Sequence, residues 1–441
     1  MTGALSSLRI ETRELPSGLR LFAACAPHLR SAALCGQVAI GPHYETRQTH
    51  GLSHFLEHML YRGTERYPSA HSLVSAIERR GGYLDAMTYC DHGVLSLSSP
   101  PESQLELLPI FAEVFQAPLL GEHDGHSIEI ERGIVREEIN EELDDRGKQV
   151  EPENLVRLLC FGKQPLGFSI TGNQQSLDRF DSKLLRRHHA RHYTARNSVI
   201  GVVGPSPTGR MLQVLERAFE GLPEGERVSP AAADPHVSAW RHVPFAASQT
   251  AVRLCFRAVS SAHRLEPATQ LLLRTLDDGM STRLYARLSD ELGLCYEVSA
   301  NYEAYQNAGL IDIAADAQHD KLRQVVAELL QLVTALRDHG PTRDELDLAK
   351  QRNAWQLLRL LNSADDLAQV LGFDLLTQPK RSSQPLADRD AVLRGVTLRQ
   401  AREAARVNFD PANCSLLTVG RLGRGDRVAV AELLSGAGTR V

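Results

Sequence analysis

Two short segments of similar pattern constrain the fold of this chain more than any other feature. Ser198–Gly204 and Cys414–Gly420 each consist of seven mostly apolar or small residues ending in glycine, a pattern typical of buried strands. Each closes a series of strand-like and helix-like segments, and residues 221–235, which contain several prolines and glycines, separate the two series. Because 441 residues exceed one ordinary core, we predict two homologous units, residues 1–228 and 229–441.

Strand-like and helical segments are grouped rather than strictly alternating along each half. In the first half, residues 19–24 and 31–40 suggest a hairpin, and residues 83–89 and 93–98 suggest two paired strands. The expected helices cover residues 51–61, 70–80, 105–116 and 127–146. This order favours an α+β fold in which each unit has a mixed, mainly antiparallel sheet with helices packed on one face.

Composition excludes several classes of protein. The net charge of -5 gives no basic field of the kind that nucleic-acid binding needs. No segment approaches the roughly 18 apolar residues of a membrane span, and the N-terminus lacks the pattern of a targeting peptide. The seven cysteines are scattered singly, which suggests reduced, buried thiols. We therefore expect a cytoplasmic protein that binds neither nucleic acid nor membrane.

The expected helix at residues 51–61 carries a His-x-x-Glu-His motif formed by His54, Glu57 and His58. On a helix, His54 and His58 lie about 40° apart and Glu57 about 60° to the other side of His54, so all three can reach one point. Imidazoles are good zinc ligands, and a neighbouring carboxylate can take a proton from a water on the metal. This order of residues is a metallopeptidase signature. The alternative is two surface histidines beside a solvated carboxylate.

A catalytic zinc site needs a third protein ligand. The expected helix at residues 127–146 offers many carboxylates, of which Glu131 and Glu138 are seven residues apart and therefore within about 20° on one helix face. Ile128, Ile134, Val135 and Ile139 mark the adjoining buried side. Glu137, Glu141 and Glu142 fit solvated charges better.

The segments HFLEHMLYRGT, from His54, and ERGIVREEI, from Glu131, resemble the pitrilysin (insulinase) family of zinc metallopeptidases. The resemblance covers nearly the whole chain and implies a processing-peptidase-like fold. Its other motifs are Gly81-Gly82, Ala86 and Thr88, Pro165-Leu-Gly with Gly172, Tyr193 with Asn197, residues 280–285 (MSTRLY) and residues 293–296 (GLCY).

The resemblance implies roles for individual residues. Glu138 becomes the third ligand of one zinc ion (Zn2+) per chain, with Glu131 an acid that orients the site from outside and Glu57 the catalytic base. A peptide substrate would bind as an added strand along residues 83–89. The implied substrate-binding residues are Asp85, Ala86, Thr88 and Tyr296.

The chain departs from the family pattern at two positions. The family usually has an arginine seven residues before the tyrosine at Tyr296, where this chain has Ser289. Arg283 and Arg287 are near in sequence but are expected to point elsewhere. The asparagine that usually precedes Ala86 is Asp85, which would alter a hydrogen bond to substrate or favour a basic or amide group.

Size and Ser289 together raise the question of partners. Large family members enclose a substrate between two halves, and this chain amounts to one such half, so we expect a homodimer or a heterodimer. In the heterodimer a related subunit would supply the missing Arg/Tyr pair.

The predicted function is a zinc endopeptidase acting on short or unfolded peptides, with leader or precursor peptides as one possibility. The alternatives are a zinc-bearing subunit that is inactive without its partner, or a non-catalytic scaffold of the same family. Manganese or cobalt would also suit two imidazoles and a carboxylate. A second His pair, His188 and His192, has ligand-like spacing, but neighbouring arginines favour a surface helix there.

Overall fold

The computed structural model describes residues 8–121, 126–236, 238–377 and 385–438. Within them the chain forms two compact units. The first comprises the described parts of Met1–Ile139, Ser169–Ala231 and Trp355–Arg389, and the second comprises those of Asn140–Phe168, Ala232–Ala354 and Asp390–Val441. The predicted division at 228/229 lies close to the one at 231/232, but each unit also takes one segment from the other half of the chain. The sequence-based assignment of zinc binding and catalysis to residues 1–228, and of substrate binding or dimerisation to residues 229–441, which lack the zinc motif, stays a prediction.

The first unit is built on a six-stranded sheet. Its strands are β1 (Arg9–Glu14), β2 (Arg20–Cys25), β3 (Ala32–Val38), β4 (Tyr83–Thr88), β5 (Gly93–Ser99) and β6 (Ser198–Gly204). The spatial order is β1-β2-β6-β3-β5-β4. Only β2 and β6 are parallel; the other neighbours are antiparallel. Strand β4 therefore lies at one edge, paired with β5 alone among the described strands.

The second unit has a five-stranded sheet of matching topology. Its strands are β7 (Trp240–Pro244), β8 (Thr250–Ala258), β9 (Val298–Ala304), β10 (Gly309–Ala317) and β11 (Cys414–Gly420). The order β7-β11-β8-β10-β9, with one parallel pair between β7 and β11, repeats the arrangement of β2 to β6. The predicted α+β fold with two units is confirmed. The two segments of similar sequence pattern, β6 and β11, occupy the same place in their sheets.

The α-helices, in chain order, are α1 (Leu52–Leu60), α2 (Ala70–Glu78), α3 (Gln104–Gln116), α4 (His126–Glu141), α5 (Pro152–Phe161), α6 (Gln174–Leu177), α7 (Ser182–His192), α8 (Thr208–Ala218), α9 (Glu266–Leu276), α10 (Leu322–His339), α11 (Arg343–Leu360), α12 (Ala364–Thr377), α13 (Pro385–Arg394), α14 (Leu398–Asn408) and α15 (Arg424–Gly436). A π-helical segment, Tyr285–Glu291, follows α9 in the second unit.

Both faces of the central strands of the first sheet are buried, which explains their nearly continuous apolar sequences. Toward one face, Gly36 approaches the ring of Phe115 on α3. Toward the other face, the Gln37 side chain donates to the backbone carbonyl of Gln369 on α12. Helix α12 therefore covers a second face of this sheet, although it comes from residues 364–377, for which the sequence pattern gave no such assignment.

Three local expectations are wrong. Ile134 of helix α4 is 44% exposed rather than buried, because it lies about 100° around the helix from the buried Val135. Strands β2 and β3 do not form a hairpin, because β6 lies between them and pairs with both. Helix α4 ends at Glu141 rather than near residue 146. Beyond its end, Asp144 Oδ1 accepts the backbone N–H groups of Arg146 and Lys148, and Gly147 adopts a positive φ of 71°, so a turn replaces the last helical residues.

All seven cysteines lie within the described residues, and all are free thiols; only Cys25 is not fully buried. No helix in the described ranges is long and apolar enough to cross a membrane.

Candidate metal centre

Helix α1 buries one face and leaves the motif on the other. Leu52, Phe55, Leu56 and Met59 are fully buried. This spacing follows the period of 3.6 residues and fixes the rotation of the helix about its axis. His54, Glu57 and His58 therefore project together from the opposite side, where they are partly exposed.

The three motif side chains converge as predicted. Ligand atoms of His54, Glu57 and His58 all lie within 4.8 Å of one another, and this is the one cluster of possible metal ligands in the described ranges. The imidazole rings of His54 and His58 are 4.7 Å apart and nearly perpendicular.

Glu138 reaches the same point from helix α4. Its Oε2 lies 3.5 Å from Nε2 of His54, and its Oε1 lies 3.6 Å from Nε2 of His58. Both distances exceed those of N–H···O hydrogen bonds, about 2.7–3.2 Å. Helical spacing alone allowed either Glu131 or Glu138 to be the third ligand. Glu138 is the one that faces both imidazoles at their Nε2 atoms.

The distances suit zinc. Atoms that bind one tetrahedral zinc at about 2.0–2.1 Å lie roughly 3.4 Å from each other. The two Nε2–carboxylate separations of 3.5 and 3.6 Å agree with that value. Two imidazoles and one carboxylate also form a donor set common in catalytic zinc sites, in which the fourth position stays open. The residues present therefore fit a zinc ion.

Glu131 lies behind His58. Its Oε2 is 3.1 Å from Nδ1 of His58. Because a carboxylate accepts, Nδ1 carries the hydrogen and Nε2 is free to bind a metal. Arg62, just beyond the end of α1, donates through Nε to the other carboxylate oxygen. Burial raises the pKa of Glu131, but the hydrogen bonds from His58 and Arg62 outweigh it and the net shift is downward, so the group is an ionised acceptor.

The surroundings of the two imidazoles differ. Burial, with the nearby His58, lowers the pKa of His54 to about 3, so this ring is neutral and keeps a lone pair for a metal. Burial also lowers the pKa of His58, but the hydrogen bond with Glu131 and the charges of Glu138, Glu131 and Glu57 outweigh it, and the net shift is upward. Positive charge is therefore favoured at this point, which is what a metal ion would supply.

Glu57 is the motif residue that contacts the neighbouring strand, β4. Burial raises the pKa of its carboxyl group, and Glu138 and Asp85 act in the same direction. The hydroxyl of Thr88, the last residue of β4, hydrogen-bonds to this carboxylate and opposes the rise. Thr88 is itself buried, so its side chain contacts Glu57 rather than solvent.

The other predicted substrate-binding residues of the first unit lie on the edge strand. Asp85 and Ala86 are partly exposed in the middle of β4. Tyr83 and Met87, on the same face as Asp85, are 66% and 42% exposed. The strand thus offers an unpaired backbone edge, among the described residues, and exposed side chains beside the Glu57 carboxylate.

In the second unit, both arginines near Ser289 are held in ion pairs. Arg283 forms a two-point ion pair with Glu345, and Arg287 is paired with Glu328 and Glu291. Ser289 lies within the π-helical segment, with a buried hydroxyl oxygen that has no hydrogen-bond partner among the described residues. Tyr296 is 93% exposed. The expectation that the two arginines point elsewhere therefore agrees with their ion pairs.

The second His pair lies on a helix whose arginines are exposed, as expected, but the two histidines themselves face inward. His188 and His192 are buried, and their rings lie 4.5 Å apart. His188 contacts Ser53 at the start of α1, and His192 contacts the carbonyl of Ala39 just after β3, so both belong to the packing of α7 against the rest of the first unit. Apolar residues at helical spacing were too few in this segment to indicate burial.

Sequence reasoning gave no role to Arg62 or to Glu45. Arg62 stands four residues after His58, a spacing at which side chains on a helix meet, and this spacing was a usable signal. Glu45 precedes the motif by nine residues and lies outside any helix, so nothing in the local pattern indicated that it caps α1.

Two family models match the chain. Residues 26–172 match the insulinase family (Peptidase family M16), and residues 179–353 match the Peptidase M16 inactive domain. His54, Glu57, His58 and Glu138 lie within the first match, whereas Ser289 and Tyr296 lie within the second.

Relatives extend the likeness over most of the chain. A Rickettsia bellii protein named an uncharacterized zinc protease is 28% identical over 361 residues, covering 78% of this chain and 84% of that protein. A Bacillus subtilis protein, named uncharacterized zinc protease YmxG, is 25% identical over 351 residues, covering 79% and 84%.

Solved structures share the fold. A peptidase M16 inactive domain from Pseudomonas fluorescens has a TM-score of 0.85 at 20% identity, covering 94% of this chain and 98% of that one. A protease from Helicobacter pylori has a TM-score of 0.84 at 19% identity, covering 94% and 100%. The paired sheets, the two matched family models and the zinc-protease relatives together establish that this chain is a half-size, two-domain member of the insulinase family, Peptidase family M16.

Proposed function

We propose that this chain is a zinc-dependent endopeptidase that hydrolyses short or unfolded peptides. The observation that carries the proposal is the convergence of His54, His58 and Glu138 at separations that suit one tetrahedral metal ion. His54 and His58 would bind through Nε2 and Glu138 through its carboxylate, one zinc per chain. A completely retained ligand set also argues against a scaffold, for which the ligands would have no use.

When bound, zinc would polarise the scissile carbonyl and lower the pKa of a water at its open position to about 7. Glu57 would take the proton of that water and pass it to the leaving amine. Its carboxylate is close enough to the imidazoles for this role. The Thr88 hydroxyl would hold the carboxylate in one orientation, which we propose in addition to the contact with substrate that the family resemblance implies.

The substrate would bind as an additional strand on the free edge of β4. Backbone hydrogen bonds along an edge require an extended peptide, which a folded protein does not offer, so short or unfolded chains are the substrate class. Asp85 and Ala86 would contact this strand. Leader or precursor peptides would meet the same requirement, and a cytoplasmic location stays a prediction.

The test is to compare Glu57→Gln with the wild type after loading both with zinc. Glu57→Gln should retain about one zinc per chain, measured by elemental analysis, and lose at least about 100-fold in turnover of a mixed peptide library, because the base is removed and the ligands are kept. Glu137→Gln is a matched control, since this neighbouring carboxylate on α4 is exposed. A Glu57→Gln variant as active as the wild type would contradict the assignment.

A second candidate is a zinc-bearing subunit that needs a related partner. Ser289 and the engaged Arg283 and Arg287 favour it, because no unpaired arginine of this region is offered to a substrate. The chamber would then form from two subunits, with the partner supplying the Arg/Tyr pair.

Assaying the purified chain alone separates the two candidates. Partner dependence predicts zinc binding with little turnover, and a large gain on adding a sister chain that keeps Arg and Tyr. Robust turnover by a pure homodimer would eliminate the requirement for a partner. Tyr296→Phe provides a further comparison, because it should reduce turnover only if this exposed tyrosine contacts substrate.

A further inference from the structure

Helix α1 begins without a cap from its own side chains. Its N-cap residue, Gly51, has a φ of 86° and offers no side chain. A side chain here is also excluded sterically, since a Cβ would lie 2.6 Å from Cα of Gly172. The exposed N–H groups that every helix leaves at its first turn must therefore find acceptors elsewhere.

Glu45 supplies them from six residues upstream. Its Oε2 accepts the backbone N–H of Gly51 and its Oε1 accepts that of Ser53, both at 2.8 Å. The side chain is only 3% exposed. One carboxyl group thus spans the first turn of the helix that carries His54.

Ser53 connects this clamp to helix α7. Its backbone N–H binds Glu45, and its hydroxyl accepts the backbone N–H of Gly41 at 3.2 Å and lies 3.1 Å from Nε2 of His188. A hydroxyl oxygen can accept the N–H of Gly41 and still share a second hydrogen bond with Nε2 of His188.

His188 is held in turn by its neighbour on α7. Its ring packs 4.5 Å from that of His192, whose Nδ1 donates to the carbonyl oxygen of Ala39 at 2.9 Å. Ala39 and Gly41 belong to one short segment that follows β3, so this segment, α7 and the start of α1 are joined by a buried set of hydrogen bonds. Ser53, at the centre of the set, directly precedes His54 in the chain.

We propose that Glu45 and His188 are positioning residues that fix the first turn of α1 and so hold His54 at the metal. The proposal rests on the zinc site of the proposed function. Both residues hydrogen-bond to Ser53, the residue before His54. They act through the main chain and hydroxyl of Ser53, so they should affect how tightly a metal is held and not which residues hold it.

The test uses the full chain at pH 8, with Glu45→Gln and His188→Phe. Gln replaces one acceptor oxygen by an amide that faces an N–H group, and Phe keeps a ring but removes the hydrogen-bond partner of the Ser53 hydroxyl. We expect each to speed zinc release to a chelator by about 10-fold or more, in the range seen when groups behind metal ligands are removed. His188→Gln, which can still hydrogen-bond to Ser53, should recover most of the wild-type release rate.

Thr397→Ala is the control for a merely structural effect. Thr397 caps α14 in the other unit, so its loss should lower the unfolding midpoint by a few degrees without changing zinc release. If Glu45→Gln and His188→Phe lower the midpoint equally but release zinc at the wild-type rate, the proposal is overturned.

Amide hydrogen exchange of the metal-free chain provides a second reading. Glu45→Gln should raise the exchange rate at residues 51–54 at least 10-fold while leaving the exchange of α14 unchanged. An unchanged exchange rate at residues 51–54 would also overturn the proposal. If the wild type binds no zinc, the proposed function fails, whereas the exchange result still decides whether Glu45 holds this turn.

Discussion

At the scale of single residues, the candidate site is a set of paired charges rather than isolated ligands. His58 is held by Glu131, and Glu131 is held by Arg62. The buried Glu131 carboxylate would be costly without the guanidinium, because an unpaired buried charge is strongly disfavoured. Arg62 would therefore act on a bound metal through two side chains, those of Glu131 and His58.

Replacing Arg62 tests this chain of contacts. Arg62→Leu should weaken zinc binding by about 10-fold or more, because Glu131 loses its charged donor and no longer orients His58 firmly. Arg62→Lys should be intermediate, since an ammonium restores the charge without the planar geometry. Competition with a zinc chelator measures the affinity. Arg47→Leu, at an exposed position nearby, should leave it unchanged.

Sequence alone predicted much of this candidate site, and there is a physical reason why it could not predict the rest. His54, Glu57 and His58 are linked by helical spacing, so one local pattern places all three. Helical spacing left Glu131 and Glu138 equivalent, and the family resemblance separated them before the structure did. Glu45 was beyond reach because it meets α1 only through a turn whose path no periodicity describes.

At the scale of elements, the site depends on how α1 starts. Gly51 combines a positive φ with contact to Gly172, so no other residue fits without movement of the backbone. A substitution at this N-cap position is therefore strained, although glycine contributes no side chain to the site.

Two glycine substitutions should therefore have opposite effects. Gly51→Ala should destabilise the protein by about 2 kcal/mol or more, because the φ is unfavourable and the new Cβ collides with the backbone. Gly133→Ala should stabilise it by about 0.5–1 kcal/mol, since Gly133 lies inside α4 with nothing near its Cβ. Denaturant unfolding measures both. A Gly51→Ala variant as stable as the wild type would show that this turn is not constrained.

At the scale of the whole molecule, the mixed sheets and the duplicated order of strands followed from the sequence, and the exchange of segments did not. The helices that complete each unit are amphipathic, and amphipathicity states that a helix has a partner without identifying it. The second face of the first sheet is covered by a helix some 160 residues beyond β6, as their ranges show. Contacts at such separation leave no trace in local periodicity.

Buried neutral histidines should make the first unit sensitive to acid. Burial lowers the pKa of His192 to about 4, and Arg191 adds to the shift, while the bond to Ala39 opposes it. Between pH 6.5 and 4 the unfolded state then binds more protons than the folded one, so stability falls as pH falls through this window. The full difference corresponds to roughly 3 kcal/mol at most.

Unfolding free energies measured from pH 7.5 to 4 test this sign. The wild type should lose stability on acidification, and His192→Asn should be less stable at pH 7.5 but lose less between pH 6.5 and 4. An unchanged slope in the variant would show that His192 does not carry the effect. Glu45 works in the opposite direction, since burial raises its pKa to about 7, so Glu45→Gln should steepen the loss on acidification.

The return of α12 to the first sheet has a consequence for how the chain is made. Leu367, Ala368 and Leu371 share one core cluster with Ala33 and Val203. During synthesis, residues up to 231 leave the ribosome well before α12 is made. The apolar second face of β3 and β6 therefore stays exposed while Ala232–Ala354 is synthesised. A nascent or truncated chain that stops at the linker would therefore expose an apolar surface of the kind that chaperones bind. A stable fragment carrying the candidate metal centre would have to include residues 355–377, connected to the first segment as in a circular permutant.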